Sequence, residues 1–200
     1  MIARSLFAAL ALVSAVPAFV PAAMAAPIEV TRFHTPDSIT ALGRNAVAVV
    51  AAPGTGSGDL ETRVWLLAVE AELAALRFGS ATPGAADCYA EVRVERRTER
   101  TERRRGPVSV GVGGGTGGWN SGVGLGVGFN LGGGPRTQVI TRLAVTIRSR
   151  ATGQALWEGR ADNTEKESAK AASVDQAAPR MAHALFSGFP GAPGATITVR

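Results

Sequence analysis

The chain has 200 residues, 46% of them apolar but only 6% aromatic, and a formal net charge of +5 at neutral pH. That length allows one ordinary domain with a modest core, and a single cysteine, Cys88, excludes an intramolecular disulfide. There is no recognition-helix pattern or aromatic–basic stacking motif, so the positive charge points to anionic lipid, lipopolysaccharide or polymer surfaces and not to nucleic acid.

The first 25 residues read as a secretory signal. Arg4 supplies the positive start, 6–20 is almost unbroken apolar chain, and Ala23-Met24-Ala25 ends it with the small residues of a peptidase site. The apolar run is too short for a spanning helix. Cleavage is expected after Ala25, with Ala26 as the alternative one residue on. A single mature domain, 26–200, follows, placed in the periplasm or peripherally on the outer membrane. No cysteine directly follows the site to accept a lipoprotein anchor. Loss of Arg4 leaves 20 basic residues (21 less one) against 16 acidic ones, a net charge of +4.

Residues 28–34 predict a first strand and 45–51 a second, separated by Gly/Pro chain from a helix that Asp59 can cap. The helix is expected to run to Phe78, with Gly79 as its left-handed C′ residue. Leu60, Val64, Leu67, Ala71, Ala74 and Phe78 recur at spacings of three and four and are its expected buried stripe. From 87 to about 97 the chain alternates, with Cys88, Ala90, Val92 and Val94 on one face. This makes Cys88 a buried, inert thiol. Strands at 138–148 and 155–163, joined by the turn 151–154, predict a hairpin. Residues 168–186 are helical, kinked or divided at Pro179, with Met181, Ala182, Leu185 and Phe186 on the apolar side. A closing strand falls at 195–199. Strands with one apolar face and two amphipathic helices to cover it imply an α+β fold. The expected form is a two-layer sandwich, mainly an antiparallel curved sheet with both helices on one face and a Gly-rich hairpin insertion.

The helix "LAVEAELAALRFG", the strand "ADCYAEVRV", the hairpin "LAVTIRSRATGQALWEGRA" and the closing "MAHALFSGFPG" resemble the exported bacterial domain of unknown function 4136 family. The most specific pieces are Thr152-Gly153, Leu156-Trp157-Glu158-Gly159-Arg160-Ala161 and Phe189-Pro190. The resemblance implies an envelope protein with no established enzyme activity. It carries no assigned functional residues, and the chain departs from the lipid-anchored members in lacking their cysteine.

Residues 106–135 form the insertion, with 14 glycines in 30 residues. Its segment 122–129 alternates strictly, placing Val123, Leu125, Val127 and Phe129 on one face, and Trp119 lies in the tip between this segment and Val108, Val110 and Val112. This is the layout of a hairpin arm. Gly-rich chain loses the most backbone entropy on ordering, so an ordered arm needs a surface to lie on. Two readings stand: a loop without a partner, or an apolar arm docking on a membrane or partner. A phosphate-cradling loop is disfavoured, because no helix start or P-loop lysine follows Gly118. Beside the insertion, 93–105 holds seven Arg against three Glu. Arg96, Arg97, Arg100, Arg103, Arg104 and Arg105 are the candidate anion-binding residues of this stem, and solvated, ion-paired strand ends are the plainer reading. Trp119, Val123, Leu125, Val127 and Phe129 are the candidate membrane or partner contacts.

Catalytic signatures are missing. His34 and His183 sit on different elements, and one cysteine cannot build the usual zinc spacings. Glu158 and Asp162 share a strand face with Arg160, so a surface ion pair is expected there. No metal, cofactor or catalytic residue is assigned. The expectation is a non-enzymatic envelope protein that binds an anionic lipid surface or an envelope protein. The alternative is a periplasmic carrier of a small apolar ligand or lipid.

Overall fold

The computed structural model describes residues 25–55, 58–101 and 136–200. In chain order the elements are β1 (Ile28–Phe33), α1 (Pro36–Leu42), β2 (Ala46–Ala51), α2 (Leu60–Ala75), β3 (Gly79–Ser80), β4 (Cys88–Thr101), β5 (Arg136–Ser149) and β6 (Ala155–Lys166). A 3₁₀ turn (Lys170–Ala172), α3 (Val174–Phe186) and β7 (Thr196–Val199) complete the chain. The strands form one open seven-stranded sheet in the order β3-β2-β4-β5-β6-β1-β7. β2 runs parallel to β3 and β4, and the remaining pairs are antiparallel. The expected α+β class holds, with a mixed sheet.

The register sets the core. Val92 lies opposite Val145, which lies opposite Gly159, and Ala90 opposite Ile147, which lies opposite Trp157. Period-two alternation then gathers Cys88, Ala90, Val92, Leu143, Val145, Ile147, Trp157 and Ala161 on one face, all buried. α2 and α3 pack together over this face with Trp65, Val69, Met181, Leu185 and Phe186. Trp157 stacks on Phe186 with ring centroids 5.3 Å apart.

α2 is where the expectation fails most clearly. Its buried residues are Thr62, Trp65, Val69 and Leu73; of the expected stripe Val64 and Phe78 are half-buried against the core, whereas Leu60 and Leu67 are 79% and 58% exposed. The helix is apolar on nearly every side, so two stripes satisfy the three–four spacing; burial of the large Trp65 ring selects the other one. The helix also ends earlier than expected. Arg77, at φ 65°, takes the left-handed C′ position in place of Gly79. The Phe78 N–H donates to the Leu73 carbonyl and the Arg77 N–H to the Ala74 carbonyl, a Schellman closure. This frees Gly79 and Ser80 to pair with β2.

α1 was not expected. Its seven residues hold a reciprocal capping box, with the Ser38 N–H donating to Thr35 Oγ1 and the Thr35 N–H to Ser38 Oγ, followed by Pro36 in the first turn. Pro179 lies inside α3 without dividing it; the separate piece is the 3₁₀ turn before Ser173.

Candidate functional site

β4 and β5 pair residue for residue from Cys88↔Ser149 to Thr101↔Arg136 and form the stem on which the insertion is carried. Pairing with β2 ends at Val92, so β4 runs on for about 30 Å beyond it. Alternation splits the stem arginines between faces. Arg96 falls on the helix side, where Nη1 meets Glu61 Oε1 at 2.9 Å and Nη2 donates to the Ala172 carbonyl at 2.7 Å. Its side chain is only 20% exposed, so it clamps α2 and the 3₁₀ turn to β4. Arg97 points to the opposite face, exposed and paired with Glu99 at 2.8 Å, and Arg100 is exposed. Arg103, Arg104, Arg105, Trp119, Val123, Leu125, Val127 and Phe129 lie outside the described residues.

The face of the sheet away from the helices is a charge checkerboard. Arg142 Nε donates to Asp162 Oδ1 at 2.7 Å, and Arg148 Nε to Glu91 Oε2 at 3.0 Å. The Asp162 bond raises the Arg142 pKa. The ion pair expected on β6 therefore forms across strands, from Asp162 to Arg142 and not to Arg160.

A second constellation, which the sequence reading missed, joins β1 to the end of α3. Arg32 is 4% exposed. Its Nε donates to the Leu185 carbonyl, and its Nη2 to the carbonyls of Ala184 and Ser187 at 3.0 and 2.7 Å. These carbonyls form the negative end of the α3 dipole, so a guanidinium there is held without a carboxylate. Burial lowers the Arg32 pKa. Beside it, Trp157 Nε1 donates to the Pro190 carbonyl at 3.1 Å, and Phe189 packs on Trp157 and Phe78. Gly191 sits at φ 83°, and a Cβ there would lie 2.6 Å from Arg32 Cδ. A Cβ on Gly159 would strike the Trp157 ring and lie 2.8 Å from Leu185 Cδ1. The sequence signal was Arg32 itself, an arginine on the Ile28, Val30, Arg32 side of a strand whose other members are apolar.

Two clefts of several hundred Å³ open among the described residues. One, of about 610 Å³, lies at the β5–β6 turn among Asn45, Asp87, Cys88, Arg150, Thr152 and Gln154. Cys88 is 1% exposed, and burial, opposed by a weak Asn45 contact at 3.9 Å, raises its pKa. The other, about 460 Å³, lies at the start of α2 among Asp59, Glu61, Thr62, Trp65 and Arg96. Asp59 caps the helix, and hydrogen bonding from Thr62 lowers its pKa. His183 is 70% exposed, its Nδ1 3.3 Å from Glu72. Among the described residues no group of three His, Cys, Asp or Glu could hold a metal ion, and no helix is long and apolar enough to cross a membrane.

One open seven-stranded sheet with α2 and α3 packed together over one face defines an α+β domain. The chain belongs to the domain of unknown function family DUF4136, whose profile matches residues 40–191. An uncharacterised protein of Zymomonas mobilis is 45% identical over 73 residues, which is 35% of this chain and 27% of that protein. The chain thus spans about a quarter of that relative's length. A PelC variant dodecamer from Paraburkholderia phytofirmans is similar at 16% identity and TM-score 0.45, covering 79% of this chain and 95% of that one. A PDZ domain protein from Parabacteroides distasonis is similar at 11% identity and TM-score 0.47, covering 87% and 39%.

Proposed function

We propose that the protein is exported to the periplasm and works there by binding, not catalysis, with the sheet as scaffold and the 106–135 insertion as a hairpin arm that contacts an anionic membrane surface or an envelope partner. The observation that supports this reading is the stem: β4 and β5 run on beyond the pairing of β2 to Thr101 and Arg136, the ends between which the insertion falls in sequence, and Arg97 and Arg100 are exposed there. An apolar arm above basic side chains suits a headgroup region, where each exposed arginine adds at most ~1 kcal/mol.

Fractionation of cells producing the full chain tests this. The protein is expected in the membrane pellet, partly retained after a high-salt wash, whereas a deletion of residues 111–134 moves it to the soluble fraction. Unchanged association of the deletion variant would remove the arm from the proposal. The carrier reading is less well supported, since Trp65, Val69, Leu73, Met181, Leu185 and Phe186 fill the layer between helices and sheet and both clefts lie at element ends.

A further inference from the structure

Residue 26, the first after the expected cleavage site, is held at both its backbone atoms by side chains from two distant elements. The Ala26 N–H donates to Glu165 Oε1 at 2.8 Å. Its carbonyl accepts from Arg180 Nη2 at 3.0 Å and from Asn163 Nδ2 at 3.4 Å, and the same Asn163 group donates to the Pro27 carbonyl at 3.2 Å. Glu165 and Asn163, on β6, are 6% and 4% exposed. Ala25, one residue earlier, is exposed. Glu165 Oε1 also meets Arg180 Nη1 at 3.3 Å.

We propose that this is a seat for a processed N-terminus, in which the α-ammonium of Ala26 forms an ion pair with Glu165. The inference rests on the export reading above. Hydrolysis of the Ala25–Ala26 bond by a signal peptidase adds the water oxygen to the Ala25 carbonyl carbon and breaks its bond to the Ala26 nitrogen. The two products at neutral pH are an Ala25 carboxylate on the leaving segment and an ammonium on the domain. Free α-amines have pKa values near 7.7–8.0, so the new terminus is cationic. The neutral amide donor beside Glu165 becomes a charged one, and such hydrogen bonds are shorter and roughly twice as strong. A buried carboxylate gains a second cation at a distance already set by β1, β6 and α3. Cleavage one residue later, before Pro27, removes the nitrogen that Glu165 holds. Processing at one bond thereby adds to the stability of the exported form.

Two measurements test the seat. Intact mass and N-terminal sequencing of the exported protein are expected to give Ala26 as the first residue. A start at Pro27, Ala25 or Met24 overturns the seat and leaves export standing, whereas an unprocessed chain beginning at Met1 overturns both. Separately, thermal unfolding is compared for purified chains that begin at Ala26, at Gly-Ser before Ala26, or at acetylated Ala26, each with Glu165 and with Glu165→Gln. Extension and acetylation both keep the Ala26 N–H; acetylation removes the charge, and extension moves it two residues away from Ala26. Each is expected to lower Tm by ~2–4 °C in the Glu165 chain and to have no effect in Glu165→Gln. Equal Tm for the free and acetylated Glu165 chains overturns the proposal whether or not the Gln variant folds.

Discussion

At the scale of single residues, the guanidinium of Arg32 does what no apolar side chain at that position could do. It satisfies three carbonyls at the end of α3 from inside the sheet, and Gly191 is confined to glycine both by its positive φ and by the Arg32 side chain lying against it. Replacing Arg32 with Met keeps much of the volume but strands those carbonyls. The expected cost is ~1–3 kcal/mol in urea unfolding. Arg32→Lys is expected to recover little, because one ammonium cannot reproduce the planar fork. Recovery of full stability by Lys would show that charge at the helix end suffices without the fork. Gly159 belongs to the same argument. Within the Leu-Trp-Glu-Gly-Arg-Ala run, Trp157 and Leu185 both lie against Gly159, and packing leaves no room there for a Cβ.

At the scale of elements, α2 offers a direct comparison of two faces. Leu67→Glu on the exposed stripe is expected to change stability by no more than ~0.5 kcal/mol. Leu73→Ala on the buried one is expected to cost ~2–5 kcal/mol, both read from urea midpoints. A large loss from Leu67→Glu would return burial to the stripe that periodicity favours. The strands were more legible than this helix, and the reason is geometric. In a strand only two faces exist, so Cys88-Ala90-Val92 and Leu143-Val145-Ile147 could be assigned by alternation alone. A helix apolar on most of its circumference leaves its orientation to whatever it packs against. α1 escaped notice because its signal is a Thr-x-x-Ser box and a proline, with little apolar periodicity.

For the whole molecule, the described part of the stem shares the charge balance of the sheet's uncovered face, with Arg93 and Arg97 against Glu95 and Glu99. On the uncovered face alternation gathers six acidic residues, Glu29, Glu91, Glu95, Glu99, Glu158 and Asp162, and six basic ones, Arg93, Arg97, Arg142, Arg148, Arg160 and Lys166. Such a face has little field of its own. If the stem provides the anionic contact, Arg97→Gln with Arg100→Gln is expected to release the protein from membranes at lower salt. Arg142→Gln with Arg160→Gln is expected to leave the release point unchanged. An equal shift from both pairs would assign the attraction to net charge. Of the candidate stem residues, Arg96 illustrates why the sequence alone could not sort them. Adjacent arginines in a strand point to opposite faces, and whether one is free depends on Glu61 and Ala172, which are distant in the chain.

What the sequence determined by itself was local in origin: the α+β class from alternating strands and amphipathic segments, the buried Cys88 from period two, and the family from a run of residues around Trp157. Only the tertiary structure decided which face of α2 is buried, that Arg32 serves the end of α3, and that Glu165 and Arg180 converge on Ala26. The last two depend on contacts between residues more than a hundred positions apart, and the first on helices and strands elsewhere in the chain. No short-range pattern encodes such contacts, because they exist only once the strands have taken their order in the sheet.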